Sequence, residues 1–86
     1  MENKPNYEQA FLHVKSTISD NKQVTIGSSL NCFINPNISD KLKGELGLMI
    51  IAMIFDQKKR NVLNVPSEAL SKIVEKIIED MPEPWE

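Results

Sequence analysis

Hydrophobic positions change their spacing along the chain, and each change marks an element. Tyr7, Ala10, Phe11, Val14 and Ile18 recur at the intervals of one helix face. Asn6 stands just before them with Gln9 three residues on, a capping-box pattern. The spacing predicts a first helix over residues 6–19, ending in the turn-prone Asp20-Asn21-Lys22, with Glu8, Lys15 and Ser16 in water and Leu12 at the stripe's edge. Residues 23–34 then alternate. Val24 and Ile26 interleave with Gln23 and Thr25; beyond Gly27-Ser28-Ser29, Leu30, Cys32 and Ile34 interleave with Asn31 and Phe33. Period two on both sides of a Gly/Ser turn predicts a short β-hairpin, ended where Pro36 forces Asn35 out of the helical region.

The densest apolar stretch is Leu46 to Phe55, uncharged throughout and interrupted only by Gly47. It forms the centre of a second helix, capped by Asn37 or Ser39 and running to Lys59. At about 100° per residue this helix is apolar on two opposite sides. Leu42, Leu46, Met49, Ile50 and Met53 make the first face; Gly44, Gly47, Leu48, Ile51 and Phe55 make the second. A helix that is apolar all round must be surrounded. The uncharged run is about half the length a membrane span needs, so a buried helix is expected and no membrane partner. Residues 61–66 connect it, extended around Val62 to Val65, to a third helix beginning near Pro66-Ser67-Glu68. Leu70, Ile73, Val74, Ile77, Ile78 and Met81 form its stripe, which should cover the first face of the second helix, and Pro82 stops it. Residues 1–5 read as a frayed start and residues 82–86 as a stiff acidic tail carrying Pro84 and Trp85.

The expected fold class is therefore α+β: three helices with a β-hairpin between the first and second, in the order α-β-β-α-α. The second and third helices form an antiparallel pair, and residues 1–86 make a single domain.

Composition narrows the function classes. The chain has 86 residues, 41% hydrophobic and 26% charged, as a small globular domain should. Its net charge is −2 and Arg60 is its only arginine, which argues against a phosphate-reading surface. Cys32 stands alone and cannot form an internal disulfide. With no basic-then-apolar secretion signal at the N-terminus, a cytoplasmic location is expected.

Candidate chemistry is sparse. His13 and Cys32 are the only histidine and thiol, too few for a metal site and without a recognisable activating group, so neither catalysis nor a metal or other cofactor is expected. Gly27-Ser28-Ser29 lacks the Gly-x-x-x-x-Gly-Lys pattern of a phosphate loop and reads as the hairpin turn. Lys58, Lys59 and Arg60 suit a solvated helix C-terminus. A nucleic-acid regulator built on them is the alternative function, and it requires Lys15, Lys22, Lys41 and Lys43 to converge on the same side.

Gly44 and Gly47 carry more information. Each glycine costs about 1 kcal/mol relative to alanine inside a helix, which calls for a close neighbour on that side. The neighbour is either the chain's own hairpin or a second copy. Because the third helix covers one face of the second, the face of Gly44, Gly47, Leu48, Ile51 and Phe55 is the expected homodimer interface. Trp85 is the expected anchor for a protein partner, unless it folds over the third helix. These features point to a small non-enzymatic interaction module that self-associates and acts by binding another protein. Inhibitors encoded by phages or mobile elements share its size and charge. A small-ligand binder or enzyme, around His13 and Cys32 or at a subunit interface, is a third reading.

Overall fold

In the computed structural model, which describes residues 6–18 and 23–82, four helices follow one another: α1 (Tyr7–Thr17), α2 (Ile26–Phe33), α3 (Asp40–Lys59) and α4 (Ser67–Asp80). No strand occurs among the described residues, so the α+β class is corrected to all-α and the hairpin to the helix α2. The reason lies in two polar residues. Ser28 N donates to Thr25 Oγ1 at 3.0 Å, and Thr25 N donates to Ser28 Oγ at 2.9 Å, a reciprocal capping box that starts a helix at Ile26. Ile26, Ser29, Leu30 and Phe33 then fall at helical spacing, and Ser29, Cys32 and Phe33 are buried. Ile34, which the alternation placed with Leu30 and Cys32, is 66% exposed. An eight-residue helix is marginal alone, so its packing on α3 holds it.

The other starts follow the sequence. Gln9 N donates to Asn6 Oδ1 at 2.9 Å to open α1, and Leu42 N donates to Ser39 Oγ at 3.2 Å to open α3. α3 closes with Asn61 in the left-handed region at φ 60°. Val62 N donates to Gln57 O at 3.1 Å and Asn61 N to Lys58 O at 3.0 Å, a Schellman closure in which asparagine takes the place usual for glycine. The segment from Val62 to Val65 forms no strand. The turn expected at Asp20-Asn21-Lys22, the N-terminal residues 1–5 and the tail residues 83–86 with Trp85 lie outside the described residues.

α3 is the axis of the fold: α1, α2 and α4 all pack against it, and α1 also touches α2. Leu46, Ile50 and Ile54 of α3 are buried among Ala10 and Val14 of α1, Cys32 and Phe33 of α2, and Leu70 and Ile77 of α4. Gly47 lies against Met81 just past the end of α4, whereas Ile54, Phe55 and Lys58 border a cleft with Ser67, Leu70 and Ser71 near its start. α3 and α4 therefore run antiparallel. α4 borders α3 on the side of Gly47, Ile54 and Phe55, rather than on the first face as its stripe suggested. α2 takes part of that first face, where Ser29 Oγ donates to Met53 Sδ at 4.0 Å.

Candidate functional site

The second face of α3 is divided between burial and exposure. Gly44 and Gly47 are both buried. A Cβ on Gly47 would come within 2.6 Å of Met81 Sδ and 3.1 Å of Phe33 Cε1, so the space beside this glycine is filled by the chain itself. Leu48 and Ile51 are half-buried, and Phe55, near the C-terminal end of the same side, is 61% exposed.

α4 supplies the other half of an apolar surface, although its stripe predicts a wholly buried face. Val74 is half-buried and Ile78, one turn on, is 57% exposed. The signal was present in the width of the stripe: from Ile73 round to Ile78 it spans about 140° at 100° per residue, more than one neighbouring helix covers. Between α3 and α4 lies an open cleft of about 290 Å³, whose apolar lining is Ile54, Phe55, Leu70 and Val74. Lys58 on α3 and Glu75 on α4 bring one charge of each sign to the same cleft. Phe55 on α3 and Val74 on α4 thus face one cleft that also holds Lys58 and Glu75, and Leu48 and Ile51 on α3 and Ile78 on α4 lie one to two turns from those residues along the same helices.

The remaining candidates are placed apart. His13 is half-buried on α1, and its backbone carbonyl accepts from Ser16 Oγ at 2.9 Å and Thr17 Oγ1 at 2.8 Å. Cys32 is a free, buried thiol on α2. It borders a cavity of about 250 Å³ with Thr17, Ser28, Asn31 and Asn35, and His13 does not line it. Gly27-Ser28-Ser29 is the first turn of α2 instead of a hairpin turn, and the Ser28 amide is already used by Thr25. Arg60 Nε pairs with Asp56 Oδ2 at 3.5 Å on an exposed helix surface, while Lys58 lines the apolar cleft and Lys43 Nζ stands 5.0 Å from the Phe33 ring centroid. Lys22 and Trp85 lie outside the described residues.

Glu45 stands out among the charged residues. It is 1% exposed, and its Oε2 has no hydrogen-bond partner among the described residues. Among the described residues no group of three or more His, Cys, Asp or Glu is placed to hold a metal ion, and no helix is long and apolar enough to cross a membrane. No protein-family model matches the chain, and no curated protein or solved structure is significantly similar to it.

Proposed function

We propose that this chain is a small helical interaction module that forms a homodimer through the apolar region shared by α3 and α4, and that it acts by binding a protein partner rather than by catalysis. The observation that carries this reading is the pair of large side chains left in solvent, Phe55 on the α3 wall of the cleft and Ile78 one turn beyond the cleft residue Val74 on α4. Single exposed apolar residues are ordinary on a protein surface. An apolar region that runs across two helices is what an interface leaves when one copy is viewed alone.

The charges favour a second copy as the occupant. A twofold interface requires a patch complementary to itself. Lys58 and Glu75, on opposite walls of one cleft, meet that condition for a twofold axis running along the cleft, which brings the lysine of one copy to the glutamate of the other. The aromatic ring of Phe55 is the natural anchor, filling the cleft of the partner copy. The free, buried Cys32 suits a reducing compartment such as the cytoplasm.

Sedimentation equilibrium tests the reading. The wild type should be dimeric at about 100 μM, within the affinity range of modest interfaces. Phe55→Glu should be a folded monomer at the same concentration. Phe55 is mostly solvent-exposed, so its replacement leaves the core in place. A monomeric wild type, or a Phe55→Glu variant as dimeric as the wild type, overturns the reading.

A further inference from the structure

α4 borders a second cleft, on the side facing α2, and its chemistry differs from that of the first. Leu30, Phe33 and Ile34 of α2 form one wall, Ile73 and Ile77 of α4 the other, and the cavity between them is about 270 Å³. Ile34, at the end of α2, is 66% exposed beside it. Lys72 and Lys76, one helical turn apart, line the same groove, and Lys43 Nζ stands 5.0 Å from the centroid of the Phe33 ring. The single carboxylate lining the groove is Asp80, already held by Lys76 Nζ at 3.4 Å. Two ammonium groups thus line an apolar trough, one of them paired with Asp80, and a third lies over the ring of Phe33, in a chain whose net charge is −2.

We propose that the groove between α2 and α4 receives an acidic amphipathic helix of a protein partner. The apolar walls take its large side chains, and its carboxylates, one turn apart, face Lys72 and Lys76. Both walls are helices, so the groove offers no strand edge to which an extended segment could add. A segment entering it must satisfy its own backbone hydrogen bonds, as a helix does. The lysines set the sign of the partner more than its affinity. Exposed ion pairs contribute little energy, but like charges brought face to face are strongly disfavoured.

Two fluorescein-labelled helical peptides of about four turns provide the test. They share leucines at i, i+3, i+4 and i+7 and carry glutamate in one and lysine in the other at the flanking positions. Fluorescence anisotropy against the wild type should show the glutamate peptide binding at least about tenfold more tightly. Lys72→Glu with Lys76→Glu should reverse the preference, and Ile34→Asp should weaken the glutamate peptide by about tenfold or more. Lys72, Lys76 and Ile34 are all exposed, so circular dichroism should show these variants folded as the wild type. Equal binding of the two peptides, failure of both to bind, or a preference unchanged by charge reversal overturns the proposal. So does a double lysine variant that dissociates the homodimer, which would make the groove an interface between copies. Phe55→Glu should leave the peptide preference intact, so failure of the dimer reading and failure of this one are separable.

Discussion

Gly47 is buried in α3 where Met81 and the Phe33 ring come closest to its backbone. Its cost within a helix signals a close neighbour, and the structure supplies one from the chain itself in Met81 and Phe33. The thioether of Met81 is flexible and can yield, whereas the Phe33 ring is fully buried. In Gly47→Ala, the gain in helix propensity and the overlap nearly cancel, so chemical denaturation should show a change under about 1 kcal/mol. Gly47→Leu should cost roughly 2–3 kcal/mol. Gly47→Ala should also leave the oligomeric state unchanged, since the glycine faces its own chain. Glu45 was illegible for a different reason. It sits among charged residues before the apolar run, and nothing in its spacing marks it as buried. A desolvated carboxylate oxygen without a partner is unfavourable. Glu45→Gln, which keeps the shape and removes the charge, should raise stability by about 1 kcal/mol in urea unfolding at neutral pH. A loss of similar size would show that the site favours the carboxylate over the amide.

Among the elements, α1 and α3 were legible because periodic stripes combine with caps, where Asn6 and Ser39 do what their positions imply, and α4 was legible from its stripe and from Pro66 at its start, without a side-chain cap. α2 was not. Val24, Ile26, Leu30, Cys32 and Ile34 satisfy an alternating pattern, while Ile26, Ser29, Leu30 and Phe33 satisfy a helical one, and eight residues are too few for periodicity to decide. The decision falls to Thr25 and Ser28, whose capping box ends in serine where glutamate or glutamine is the usual signature. Gly27-Ser28-Ser29 consequently looked like a turn. Thr25→Ala should destabilise the protein by about 1 kcal/mol. Amide hydrogen exchange should locate the loss in residues 28–33, and uniform protection of those amides in the variant would show that the cap is dispensable. Asn61 was similarly hidden, since its left-handed backbone completes the closure of α3 without a glycine to announce it.

For the whole molecule, the sequence already indicated that α3 must be surrounded, and three helices pack against it. The number of covering elements was hidden by the alternating pattern of residues 23–34. With α2 a helix, Phe33 reaches Gly47, and the face expected to be bare from Gly44 to Phe55 narrows to Leu48, Ile51 and Phe55. The width of the α4 stripe then returns Val74 and Ile78 to the surface, and the uncovered region extends over two helices. A second copy of the chain is proposed to cover this region. An isotope-filtered nuclear Overhauser experiment on a mixture of labelled and unlabelled chains reads that contact directly. It should show cross-peaks between the Phe55 ring of one chain and the Val74 and Ile78 methyl groups of the other. If the Phe55 ring shows cross-peaks only within its own chain at a concentration of about 1 mM, the region is not covered by a second copy and the dimer does not exist.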